Sequence, residues 1–406
     1  MNAIAKFFTI YLIVYFPACI GYYDQLGFEG IDELMTFALI AFTIIKKDDE
    51  TTNPEPWREY GIFLFILACY VAYSLILQVN VAGAVWIEFV QQLRPYSVIY
   101  CTWILNPQFT DTQKKWILGS MMVTLFSWIY LHPETTKDDL AEFVVLGQMA
   151  MCTGLMYYLF TEESKRNTYI ALALVLTGML APKFKYMGEV VCVVAMLFLV
   201  KKHLNLKTPW TLAFMSLLVV VVLVVTWSRF DTYYVGGWSN INLARPMTYK
   251  TSLQILADYF PFGPGMGTFG CHGAVVYYSP LLEKYGLNEV WGMSRDLPVF
   301  IADAFYPTLC QYGVVGVFLF GVYWKRRLSG IHEIVDMRYY RVAMIAFLCL
   351  AIEQVADTSW LSGKGMGYCM LIGLCLNANR NMGIEEEDEE TEGEEELETV
   401  EEDDAE

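Results

Sequence analysis

The chain has 406 residues, 56% of them hydrophobic and 16% aromatic, well above the composition of a soluble domain. Its formal charge of −17 misleads about partners, because residues 385–406 hold 16 acidic side chains and no basic one. The remainder, with 28 acids against 27 bases, is close to neutral, and no nucleic-acid partner is expected. Ten cysteines without a Cys-x-x-Cys pair, and four histidines with no metal-ligand spacing, point to no metal, redox site or cofactor.

Apolar runs predict an all-α polytopic membrane protein with about twelve spanning helices. They lie near 4–22, 32–46, 60–78, 83–106, 116–131, 142–160, 168–181, 188–200, 211–227, 304–323, 342–356 and 366–379. Lys6 and the apolar stretch after it resemble a signal peptide, but Phe16-Pro17-Ala18-Cys19 is a poor lipoprotein cleavage match and the segment reads as a retained first span. With a cytoplasmic N-terminus, one set of loops holds Lys46, Lys47, Arg58, Lys114, Lys115, Lys165, Arg166, Lys201, Lys202, Lys207, Lys325, Arg326, Arg327, Arg338 and Arg341. The short loops on the other side hold Lys137, Lys183, Lys185 and Lys364. The positive-inside rule then puts both termini in the cytoplasm and the long polar loop 228–303 outside. Two regions follow: a membrane domain, 1–384, that includes this loop, and an acidic cytoplasmic tail, 385–406, predicted to be disordered and either a dispensable solvated tail or a docking tail for a basic partner. No inverted repeat of the transporter type is evident.

The candidate residues fall in chain order. Arg94 interrupts an apolar run at a depth where a charge faces a cavity or a partner. Glu88, six residues earlier, is off its helical stripe. Lys183 and Lys185, on an external loop, either snorkel to lipid phosphates or form an anion-binding rim. Arg245 precedes Pro246, which suits a first helical position. Leu253, Leu256 and Phe260 would form the apolar stripe of that helix. Arg245 would then add a guanidinium to free N–H groups and a helix dipole, a suitable place for phosphate oxygens; the alternative is a salt bridge within the loop.

Residues Gly265 to Gly270 spell G-x-G-x-x-G, but no strand or βαβ unit surrounds them, so a dinucleotide site is rejected. Gly265 and Gly267 instead predict a tight turn whose backbone lies close to a substrate or to the membrane surface. His272 is either a general base or an ordinary loop histidine. Tyr278, in Tyr277-Tyr278-Ser279-Pro280, either anchors the loop at the interface or stacks on a sugar. Arg295 is a second loop arginine. Asp303 either caps the next helix or acts as a base toward a sugar hydroxyl.

Taken in order, these segments resemble the bacterial O-antigen polymerase and O-antigen ligase superfamily. Arg245 through Gly270 looks like its arginine, helix and glycine turn. Asp303 through Gly316 looks like the opening of its next helix, and Lys183 to Glu189 falls where many members carry a basic cluster. The resemblance implies a GT-C-like architecture, a bacterial cytoplasmic membrane, and action on an undecaprenyl-diphosphate-linked glycan outside that membrane. It also implies membrane lipid as surroundings, and a chain-length regulator and a flippase as partners. Where related ligases carry a histidine–asparagine type pair, this chain reads Ala302-Asp303, which leans towards a polymerase.

The resemblance implies glycosyl transfer with lipid diphosphate as the leaving group. Arg245, Arg295 and Asp303 would be catalytic. Arg94, Lys183, Lys185, Gly265, Gly267, His272 and Tyr278 would bind substrate. Preorganised cations can stabilise the developing charge without a metal. An O-antigen ligase, a lipid-linked oligosaccharide flippase or exporter, and a non-catalytic scaffold remain as alternatives.

Overall fold

The computed structural model describes residues 2–27, 30–131, 142–181, 183–205 and 207–382. The acidic tail, Lys137 and Pro182 lie outside the described residues. Among the described residues there is no strand, and thirteen helices have ten or more residues. They are α1 Ala3–Tyr15, α2 Ile31–Ile45, α3 Pro56–Leu77, α4 Ala82–Leu105, α5 Asp111–Leu131, α6 Glu142–Phe160 and α7 Lys165–Thr177. After these come α8 Phe184–Val194, α9 Pro209–Phe230, α10 Ala244–Asp258, α11 Gly313–Glu333, α12 Met337–Ala356 and α13 Gly363–Cys375.

Helix starts follow the local chemistry. The Asn2 side chain accepts from the Ile4 N–H at the head of α1, and the Asp336 side chain accepts from the Arg338 N–H at the head of α12. Pro56 and Pro209 open α3 and α9, where a missing N–H costs nothing.

A helix stands at every position where an apolar run predicts a span. Five stretches are long and apolar enough to cross a bilayer: Ala3–Gly21, Pro56–Leu77, Pro209–Ser239, Phe305–Glu333 and Met337–Ala356. Length and composition thus support five spans where the apolar runs predict about twelve. The other helices are shorter or interrupted by polar residues, as α4 is by Glu88, Gln92 and Arg94. Only 6% of the apolar window of the Pro209–Ser239 stretch is buried, which leaves Trp210, Leu212, Val219 and Val224 facing outward. A continuous apolar face of this kind is satisfied by lipid, not by water.

Small residues let the central helices approach. A Cβ placed on Gly373 of α13 would lie 2.8 Å from the Ile99 carbonyl oxygen of α4, and one on Gly154 of α6 would lie 2.8 Å from the Ala171 carbonyl oxygen of α7. Trp128, Trp360, Tyr340 and Phe8 fill the interior around them.

The loops segregate to two ends. Asn53 bonds Asn377, Asn106 bonds Asn381, Arg338 donates to the Thr161 carbonyl, and Arg341 donates to the Val200 carbonyl. These contacts gather the predicted basic loops at one end. At the other, Asn80 donates to the Gly267 carbonyl and Lys185 pairs with Asp357. The 228–303 segment sits there with its own core of Ile255, Phe269, Leu281, Leu282, Leu287, Met293 and Ile301.

Two details of that segment differ from expectation. Helical structure continues past residue 228 to Ser239 before the chain turns. The predicted apolar stripe of α10 is also not its buried face: Leu253 and Phe260 are 61% and 71% exposed, whereas Thr248, Thr251, Ser252 and Ile255 are buried. The face is chosen by Ile255 entering the loop core and by Tyr249 bonding the end of α12.

Candidate active site

Helix α12 ends at Ala356, and its last carbonyls have no partner within the helix. The external segment supplies them. Tyr234 and Tyr249 both donate to the Val355 carbonyl at 2.8 Å, and Arg245 Nη2 donates to the Ala356 carbonyl at 3.3 Å. The negative end of the helix dipole also favours cations there. Arg245 and Lys185 occupy that place.

Arg245 forms a two-pronged ion pair with Asp303, Nε to Oδ2 at 2.8 Å and Nη2 to Oδ1 at 2.9 Å. Both side chains are largely buried, and the guanidinium lies 4.5 Å from the centre of the Tyr233 ring. Burial raises the Asp303 carboxyl above its ordinary range, although Arg245 pulls the other way. Burial works against the charge on Arg245, but Asp303 outweighs it and holds the guanidinium firmly protonated. The predicted geometry shifts slightly. The helix starts at Ala244, so Arg245 is its second residue and Pro246 its third, still within the turn whose N–H groups lack helical partners. Asp303 does not cap the following short helix, whose cap position is Ala304.

Lys185 is held by Glu353 and, at 2.6 Å, by Asp357. Ser359 donates to Glu353, and Gln148 donates to Ser359. Burial opposes the Lys185 charge, but the two carboxylates prevail and raise it above the usual lysine range. The Phe305 N–H donates to the Asp357 carbonyl at 3.1 Å, which ties this group to the Arg245–Asp303 pair. Lys183 behaves in the opposite way. Burial, then the charges of Lys185 and Arg229, push its ammonium below the usual range. Asp357 acts in the other direction, so burial and the balance of nearby charges together set the Lys183 shift.

The structure thus brings together Arg245, Asp303, Lys183 and Lys185. Arg229, Glu353, Asp357 and Tyr233 join them and were not anticipated. Glu353 had a signal, an acid inside an apolar run. Arg229 and Asp357 had none, since each sits at an ordinary span boundary.

The other candidates lie elsewhere. Arg94 is buried within the bundle, where Nη1 pairs with Asp32 and, at 3.3 Å, with Glu33 of α2. It shares no ion-pair partner with the Arg245 group among the described residues. As expected, it makes no ion pair with Glu88 among the described residues; Glu88 is instead held by Gln92, Gln311 and Tyr312. Arg295 is 70% exposed, 3.5 Å from Glu283 and stacked on the Tyr278 ring. Tyr278 is buried in the loop core and donates to the Met293 carbonyl, so its ring is not open to a sugar. His272 is exposed at the start of a five-residue helix.

The glycine turn is present, with φ of +97° at Gly265 and +75° at Gly267. Its close approach is to other parts of the chain. A Cβ on Gly267 would lie 2.5 Å from the Ala84 carbonyl oxygen, and one on Gly265 would lie 2.9 Å from Ser74 Oγ. The turn therefore seats the external segment on α3 and α4.

The chain matches no protein-family model, and no curated protein matches it.

Proposed function

We propose that this chain is a glycosyltransferase of the bacterial cytoplasmic membrane that polymerises oligosaccharide repeat units carried on undecaprenyl diphosphate. The observation that carries this reading is the Arg245–Asp303 pair. It joins the two segments that resemble the O-antigen polymerase and ligase superfamily, 58 residues apart, at the end opposite the basic loops. By the positive-inside rule that end is external.

In this reading an acceptor hydroxyl oxygen bonds to the anomeric carbon as the carbon–oxygen bond to diphosphate breaks. The electron pair passes to the diphosphate. Arginine has five N–H donors; Asp303 and the Ala356 carbonyl take three, and the others meet a phosphate oxygen. Lys183, beside Lys185 and Arg229, meets another. Asp303, whose proton affinity burial has raised, accepts the hydroxyl proton. The exporter alternative calls for charges along a central cavity, whereas the buried charges here fall into separate paired sets.

The test is an assay of purified protein with lipid-diphosphate-linked repeat units. Arg245→Ala is expected to lower the initial rate about a hundredfold to a thousandfold at matched protein level, the usual effect of losing one preorganised donor. A rate close to wild type would sink this assignment. The glycan of a deletion strain then separates the classes. Single repeat units indicate a polymerase, accumulated lipid-linked polymer a ligase, and units trapped inside the cell a flippase.

A further inference from the structure

We infer that a cleft between α3 and α11 binds one acyl chain of an anionic phospholipid from the leaflet at the basic end of the molecule. The cleft has a volume of about 240 Å³ and is partly open, and Ile62 in its wall is 47% exposed. Its walls are apolar, with Ile62, Ile66 and Leu319 among them. Along α3 it runs from Glu59 to Tyr70, a rise of about 16 Å for a helix. One leaflet of the hydrocarbon core is about 15 Å deep, so the cleft matches a single leaflet and not the whole membrane.

Its two ends differ. At the basic end stand Glu59 and Arg326, with Arg326 61% exposed and 3.8 Å from the carboxylate. Arg327 shares the same carboxylate. It is 3% exposed, its Nε and Nη1 have no hydrogen-bond partner among the described residues, and Tyr100, Trp103 and Tyr323 surround it. Two guanidiniums against one carboxylate leave this mouth positive, which fits a lipid phosphate. At the far end the Tyr70 hydroxyl donates to the Tyr312 carbonyl, and the two rings meet edge to face at 5.2 Å. That contact caps the cleft on the side of the Arg245 group. A lipid entering here therefore has its headgroup at the end opposite the proposed catalytic site, and the inference stands apart from the proposed function.

The test uses the full chain in phosphatidylcholine nanodiscs, with a small fraction of phosphatidylglycerol carrying a diazirine in its acyl chain. Photolabelling is expected on peptides of Pro56–Leu77 and Gly313–Glu333. Arg326→Glu should lower it more than fivefold, since about fivefold is the worth of one basic residue at an anionic surface and this change also adds an acid. Ile66→Trp should abolish it by filling the cleft; Arg326 is a surface residue, so its variant keeps the test decisive if the tryptophan disturbs folding. Equal labelling by a phosphatidylcholine probe, or unchanged labelling in Arg326→Glu, would mean annular lipid only and overturn the proposal. A diazirine-bearing polyprenyl phosphate that labels these peptides and is not displaced by phosphatidylglycerol would overturn it in favour of a carrier chain.

Discussion

Arg94 and Arg245 each form half of an ion pair, but in different surroundings. Arg94 and Asp32 are buried inside the bundle, where removing one partner leaves a charge without compensation. Arg94→Ala is therefore expected to destabilise the protein by about 3–5 kcal/mol. Replacing Arg94 by Met together with Asp32→Asn and Glu33→Gln should recover much of the loss. Thermal melting of the detergent-purified protein checks this, and an unchanged melting temperature in Arg94→Ala would count against a structural role. Arg245 and Asp303 keep partial access to solvent, so their variants should fold. Lysine lacks the planar fork, so the activity of Arg245→Lys should fall between those of Arg245→Ala and the wild type. Asp303→Asn should also be impaired, and the double variant Arg245→Ala with Asp303→Asn should be little worse than Arg245→Ala alone. Additive losses in that double-mutant cycle would show that the two residues act independently.

The glycine turn shows how backbone conformation, not side-chain chemistry, seats the external segment. Gly267 and Gly286 have nearly the same φ, +75° and +69°, but a Cβ on Gly267 meets the Ala84 backbone while one on Gly286 meets nothing within 4 Å. Alanine at either position pays the left-handed penalty, about 1–2 kcal/mol. Only at Gly267 does it also force the turn away from α4. Gly267→Ala should thus lower the melting temperature clearly more than Gly286→Ala; equal shifts would show that the approach to Ala84 is not tight. The start of α10 was legible, to within two residues, from Pro246. Its buried face was not, because the stripe of Leu253, Leu256 and Phe260 competes with Ile255 and Tyr249, and only their partners at α12 and in the loop core decide between them.

At the scale of the molecule, charge and apolar surface divide it into a basic end, an apolar belt and an end that carries the 228–303 segment. With the basic end cytoplasmic, Ser239→Cys on a background lacking native cysteines should react with a membrane-impermeant reagent in intact cells. Reaction only after the membrane is broken would reverse the orientation. Removing residues 385–406 should leave transferase activity largely intact, because the block has no apolar anchor. An expressed and inserted truncation without polymer product would give the tail a further role.

Helix positions, the division of charges between alternate loops and the glycine turn could all be read from the chain itself. Each depends on periodicity, composition or a φ requirement, which are properties of neighbouring residues. The site could be read only in part. Arg245 and Asp303 each stood out, yet nothing in the order of residues shows that they form one pair, or that Lys185 belongs to Glu353 and Asp357, 168 and 172 positions away. Those pairings are made by the end of α12, whose unpartnered carbonyls and dipole draw in cations and tyrosines from distant segments. Arg94 could be read only as a charge facing a cavity or a partner, because its carboxylates come from another helix and helix packing alone decides which ones a buried arginine meets.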